Sequence, residues 1–247
     1  MFNTNIVGAA SAAALSLAAV FGCGTASAAL VDLTSTTASW SNVVGGTNIS
    51  FPSPGSGNAE VFQVRWGDGT TGAGNSGLGF NPSAPPTQSI NTGDTFLLGN
   101  LIHYNNSIEP NTAATSARLN LVAAISGAIP ATETFSYQFL IDETPNETPC
   151  AYTSTPGNPC ADRITFNNLT TSASFMIGGL PYTLELLGFG SSASNLQTFF
   201  ISQEGTSNSA GLYGRITAPT PVPEPASLAL LGMGLLGLAA ARKRREN

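Results

Sequence analysis

Positive charge is nearly missing from this chain. Its 247 residues carry eight lysines and arginines, one histidine and three cysteines, and charged residues of both signs make up only 9%. Four of the cations, Arg242, Lys243, Arg244 and Arg245, stand in the last six positions, so residues 1–241 hold only Arg65, Arg118, Arg163 and Arg215. Four scattered cations cannot build the basic stripe that tracks a phosphate backbone, which excludes nucleic acid as a partner. The same shortage excludes long solvated helices and coiled coils. A single imidazole excludes a multi-histidine metal site, and no G-x-S-x-G element, P-loop or dinucleotide glycine fingerprint stands in a fitting context.

What is present is concentrated first at the two ends. Ile6 to Phe21 is an apolar run, too short for a comfortable membrane span, followed by Ala26-Ser27-Ala28, an A-x-A site. This predicts a signal peptide over 1–28, cut by signal peptidase between Ala28 and Ala29. Val20-Phe21-Gly22-Cys23 loosely resembles a lipoprotein box, so lipidation is the alternative fate of this end. At the other end, 218–225 is a proline-rich linker that must be extended, because each proline fixes φ and turns its predecessor away from helix. The charge-free stretch 226–241 follows, then the basic tail 242–247. Sixteen helical residues span roughly 24 Å, short of a ~30 Å hydrocarbon core, a gap that snorkelling arginines or a thinned bilayer would close. The expectation is one C-terminal transmembrane helix, with the basic cluster as a cytoplasmic stop-transfer signal and the body outside.

Val222-Pro223-Glu224-Pro225-Ala226-Ser227, the apolar stretch with Gly232, Gly234 and Gly237, and the Arg/Lys cluster together resemble the PEP-CTERM sorting signal of Gram-negative bacteria. That resemblance implies recognition by exosortase, a membrane-embedded enzyme. Cleavage would fall near Pro223, Glu224 and Pro225, after an inner-membrane intermediate, with release or re-anchoring at the cell surface in bacteria that make exopolysaccharide.

The body, 29–217, is acidic: of the fourteen acids only Glu224 and Glu246 lie outside it, against four arginines, which gives a net charge near −8. Strand patterning dominates it. Phe62, Val64 and Trp66 share one face, as do Leu119, Leu121, Ala123 and Ile125, and as do Phe135, Tyr137, Phe139 and Ile141. Further strands are expected at 38–44, 47–51, 95–104, 162–167, 173–178, 181–188, 197–203 and 211–217, with a tight hairpin at Gly178-Gly179. The stretches 67–94, 52–58 and 143–160 read as loops. The fold class is all-β, a jelly-roll-like β-sandwich. Cys150 and Cys160, the even pair left after the signal is removed, are expected to form a disulfide, worth about 2–3 kcal/mol by loop closure.

His103 reads as a structural histidine that donates to a backbone carbonyl. The segment around it carries a second resemblance. Phe62-x-Val64-x-Trp66-Gly67, Ser76-Gly77-Leu78-Gly79-Phe80, Gly93-Asp94, His103-Tyr104-Asn105, Glu143-Thr144-Pro145-Asn146 and Cys150…Cys160-Ala161-Asp162 are similar to the exported THxN and choice-of-anchor K domains. His103 and Asn105 are then the family-motif residues, with Ile102 where the signature has threonine. The resemblance implies an anchored β-rich ectodomain and no enzymatic activity. No metal site is expected, although Asp68 to Asn75, Asp94 and Asp162 could supply oxygen to a calcium ion. Glu143 and Glu147 read as solvated loop acids. The expectation is a non-enzymatic surface or matrix protein, structural, adhesive or carbohydrate-associated, with extracellular polysaccharide as a candidate partner; the alternatives are a secreted carbohydrate-active enzyme or a calcium-stabilised glycan-binding module.

Overall fold

A strand with one buried face needs apolar side chains at every second position, and the body's strands obey that rule. The computed structural model describes residues 29–54, 61–72, 74–84, 86–126, 131–167, 172–177, 179–218 and 226–245. The predicted signal peptide, with Ala26 and Ala28, and the Pro223-Glu224-Pro225 box lie outside these residues. The strands in chain order are β1 (Leu30–Gly45), β2 (Phe62–Trp66), β3 (Ser76–Pro82), β4 (Gln88–Asn91), β5 (Thr95–Asn105), β6 (Ala114–Ser126) and β7 (Ala131–Asp142). They continue with β8 (Asp162–Phe166), β9 (Ser172–Ile177), β10 (Leu180–Ser192), β11 (Asn195–Gln197), β12 (Phe199–Ser202) and β13 (Thr206–Thr217), and one helix closes the chain, α1 (Ala226–Arg245).

Two antiparallel sheets form. One has the order β12-β8-β7-β6-β1-β4, the other β11-β10-β13-β5-β3-β2, with β9 also paired to β10. Their inner faces meet through aromatic rings: Phe139 and Phe166 of the first sheet approach Phe189 of the second at 6.2 and 5.3 Å, and Phe135 meets Phe175 at 5.3 Å. The three inward rows expected around Trp66, Leu121 and Tyr137 are all buried except Phe62, which packs half-buried against the core. The layered all-β architecture is therefore as the patterning predicts. The β9–β10 hairpin also forms as expected, Ile177 pairing with Leu180 and Gly179 at φ 82°.

Three expectations need correction. The stretch 67–94 is not one loop: it contains β3 and β4, and β3 is an interior strand between β2 and β5. The stretch 47–51 is not a strand among these sheets and contributes only the isolated bridge Ser50 to Arg65. The single strand expected over 197–203 divides, because β11 pairs with β10 while β12 pairs with β8 in the opposite sheet. This segment therefore crosses from one layer to the other.

Glycine hides β3 from a pattern search, yet the packing requires it. Arg65, Gly77 and Tyr104 lie in one cross-strand row of β2, β3 and β5. With no side chain at Gly77, the Arg65 guanidinium reaches across β3 to lie 3.4 Å above the Tyr104 ring. A Cβ at Gly77 would collide with the Val64 carbonyl oxygen and the Arg65 stem.

The tail is helical, but the expected transmembrane span over 226–241 is not borne out. Among the described residues no helix is long and apolar enough to cross a membrane. The physical reason is that the apolar stretch ends at Ala241 and the last turn of α1 is Arg242, Lys243, Arg244 and Arg245.

The β2–β3–β5 row makes a first prediction. Gly77→Ala should destabilise the protein by about 1–3 kcal/mol, the usual range for overpacking, read as a lowered denaturation midpoint. An unchanged midpoint would show that the row is not closely packed.

Candidate functional site

One polar group of side chains is enclosed where two apolar sheets meet. Leu101, His103 and Asn105 alternate along the inner face of β5, and all three are fully buried. Asp162, Ile164 and Phe166 do the same along β8, again buried. Glu143 follows the end of β7 and is half-buried. His103 of one sheet is thereby brought to Asp162 and Glu143 at the edge of the other, and their ligand-capable atoms all lie within 4.8 Å of one another. The connection from Glu143 to Asp162 is the loop closed by the Cys150–Cys160 disulfide, as expected, with its Cα atoms 5.2 Å apart. Thr144 fastens that loop to the site: its amide and hydroxyl donate to Asp162 Oδ1 at 2.7 and 3.1 Å.

The hydrogen bonding is incomplete in one direction. Among the described residues, Asp162 Oδ1 is held but Oδ2 has no partner; Glu143 Oε1 lies 3.5 Å from Ser76 Oγ, while Oε2 has none. Asn105 Nδ2 donates to the Ser202 carbonyl at 3.0 Å, which leaves its Oδ1 bare. Both ring nitrogens of His103 are also unpartnered among the described residues, so the expected donation to a backbone carbonyl does not occur. Trp66 stacks on the imidazole with centroids 6.3 Å apart. Its indole N–H lies near Glu143 and favours the ionised carboxylate, but outside hydrogen-bonding geometry.

Burial sets the protonation states. It pushes the His103 pKa down to about 3, with the Arg65 charge as the lesser cause, so the ring is neutral at physiological pH. Burial raises Glu143 well above the carboxylate range, and the charges of Asp162 and Glu204 raise it further, against the donors Ser76 and Trp66. Asp162 is likewise raised by burial, opposed by the Thr144 amide and reinforced by Glu204. Glu204, buried and accepting from Ser107 Oγ at 2.8 Å, is raised by burial too. Glu143 is thus not the solvated loop acid that its sequence neighbourhood suggests.

A second feature lies outside. Where the 195–202 segment crosses between layers it borders an open groove of about 560 Å³ whose lining includes Asn100, Gln197, Phe199, Phe200, Ser209 and Tyr213. No charged side chain lines it. Phe199 remains 41% exposed.

The remaining expected residues are dispersed. Ala29, the first residue after the predicted cut, exchanges backbone bonds with Thr92: its amide donates to Thr92 Oγ1 and its carbonyl accepts from the Thr92 amide, both at 2.9 Å. Asp68 accepts from Thr47 and Asn48, and Asp94 from Asn91; among the described residues neither joins a group of three potential metal ligands. Arg242 to Arg245 are exposed on α1. Sequence reasoning missed Glu143, Asp162 and Glu204 as members of one site. The signal was present for Asp162, whose position is in phase with Ile164 and Phe166 and so had to face the core.

Residues 221–245 match the PEP-CTERM protein-sorting motif. No curated protein matches the chain. The motif implies an exported protein processed by exosortase in a Gram-negative bacterium.

The buried acids and histidine predict a pH dependence for the protein with no divalent cation present. Carboxyls whose folded pKa is raised stabilise fully below the ordinary value of about 4.5 and lose that contribution as pH rises through the folded value. His103, depressed from 6.5, contributes above 6.5 and loses as pH falls toward 3. Two carboxyls outweigh one imidazole, so the melting temperature should fall from pH 5 to pH 8, and Glu143→Gln should flatten the slope. A melting temperature that rises over that interval would contradict these protonation states.

Proposed function

We propose that the chain is an exported surface or matrix protein that exosortase cuts at or near Pro223-Glu224-Pro225, and that its β-rich body acts by binding rather than by catalysis. The observation that carries this reading is the sorting motif over 221–245. A proline-rich segment suits a processing enzyme because it is extended and donates few backbone hydrogen bonds of its own. The apolar stretch of α1 and its basic last turn, Arg242–Arg245, would attach the chain to the inner membrane until cleavage. Signal peptidase would act earlier, at Ala28. The body is read as an anchored ectodomain of the THxN or choice-of-anchor K kind that its motifs resemble.

A carbohydrate-associated role draws its support from the open groove. The exposed ring of Phe199 and the half-buried rings of Phe200 and Tyr213, beside amide and hydroxyl groups, offer both an apolar platform and hydrogen bonds, the combination a sugar ring uses. A lining without charge suits a neutral polysaccharide better than an acidic one. Absence of catalysis is inferred from the same geometry. His103 and Asp162 are fully buried, out of a substrate's reach, and the groove lining holds no carboxylate or imidazole.

Mass spectrometry of surface-located protein from a host with active exosortase should find a mature C-terminus near 223–225. An intact Arg242–Asn247 tail on that protein would refute the sorting claim. For the groove, Tyr213→Ala should weaken retention on neutral polysaccharide by about tenfold, the value of one good aromatic contact. Equal retention of variant and wild type would remove the groove from consideration.

A further inference from the structure

The enclosed polar group has a feature that a purely structural cluster would lack. Three of its side chains turn one atom to the protein and leave another bare, and the fourth leaves both of its nitrogens bare among the described residues. Asp162 spends Oδ1 on Thr144 and leaves Oδ2; Glu143 meets Ser76 with Oε1 and leaves Oε2; Asn105 spends Nδ2 on Ser202 and leaves Oδ1. His103, wholly buried, leaves both nitrogens. Buried polar atoms are costly unless something satisfies them, and here three oxygen acceptors lack a donor while the imidazole lacks any partner among the described residues.

We propose that His103, Glu143 and Asp162 ligate one first-row divalent transition-metal ion, of the zinc or manganese kind, which clamps the two sheets together. This goes beyond the sorting and binding reading and does not depend on it. Three lines of chemistry converge. Metal bonds of ~2.0–2.2 Å place ligand atoms roughly 3–4.4 Å apart, so atoms already within 4.8 Å need only small side-chain rotations to close on an ion. A neutral imidazole and two ionised carboxylates carry two negative charges, which a divalent cation cancels inside a low-dielectric interior. An imidazole ligand selects borderline transition metals over calcium or magnesium, which take oxygen alone.

The surroundings suit a closed, structural centre. Thr144 orients Asp162 through two hydrogen bonds, the outer support that fixes a ligating carboxylate. Asn105 Oδ1, on the same inward face of β5 as His103, and the Glu204 carboxylate, close enough to act on both acids electrostatically, are the available further oxygens. His103 belongs to the second sheet, Asp162 to the first, and Glu143 to the start of the β7–β8 connection that the Cys150–Cys160 disulfide braces. One ion would therefore join both layers and the loop.

The test uses the full chain without a histidine tag, stripped with chelator and dialysed against zinc, manganese or calcium chloride at pH 7.5. Elemental analysis should find one equivalent of zinc or manganese per chain. At a hundredfold excess over Kd the melting temperature should rise by about 5–10 °C. His103→Gln should lose the stoichiometric metal. Should that variant not fold, Glu143→Gln, an isosteric change at a half-buried position, should fold with an unaltered or higher metal-free melting temperature. It should bind metal more weakly by more than the ~10–100-fold typical of a lost outer contact. No stoichiometric zinc or manganese in the wild type, undiminished binding by Glu143→Gln, or a shift with calcium alone would each overturn the proposal.

Discussion

Much of this molecule turns on one electrostatic constraint: an imidazole and two carboxylates are enclosed between sheets whose inner faces are otherwise apolar. Charge in such a place is expensive, and among the described residues Asp162 has the Thr144 donors while His103 has no partner. The strands that deliver the group cannot shift by one residue without turning it outward, because side chains alternate with a period of two. The register that buries Leu101, His103 and Asn105 on β5 is the register that places Ile102 and Tyr104 on the outside, where Tyr104 receives the Arg65 guanidinium. The inside and outside of this corner are thus fixed by the same strand pairing.

The disulfide and the ion pairs serve the same corner. Cys150–Cys160 closes the loop whose two ends carry Glu143 and Asp162. Asp142, the last residue of β7, pairs with Arg163 at 3.5 Å and accepts from the Tyr152 hydroxyl. Both Asp142 and Arg163 are well exposed, so this pair orients more than it stabilises. The few cations of the body are used locally: Arg65 on Tyr104, Arg163 on Asp142 and Tyr152, and Arg215 on Glu185.

The layered fold could be read from the chain wherever strands alternate cleanly. Phe135, Tyr137, Phe139 and Ile141 announce β7, and Leu119 to Ile125 announce β6. The reading fails at Ser76-Gly77-Leu78-Gly79-Phe80, where glycine fills the alternate positions to let Arg65 cross, so an interior strand resembles a loop. It fails again at 197–203, since nothing local marks the point where a strand changes sheets. The sorting motif was legible because its recognition depends on a contiguous segment. The buried polar group was not, because His103, Glu143 and Asp162 are distant in the chain and meet only through the pairing of β5 and the approach of β7 and β8.

Export, sorting and the enclosed site fit together physically. A body with few charges and long glycine-rich segments leaves a compact fold, delivered outside the cell, dependent on covalent and coordinate ties as well as apolar burial. The most direct measurement is anomalous diffraction from crystals of the zinc- or manganese-loaded protein, collected at the metal absorption edge. The account predicts a single anomalous peak within bonding distance of a His103 ring nitrogen, Glu143 Oε2 and Asp162 Oδ2. No peak there, with the imidazole instead hydrogen-bonded to a protonated carboxyl, would contradict it.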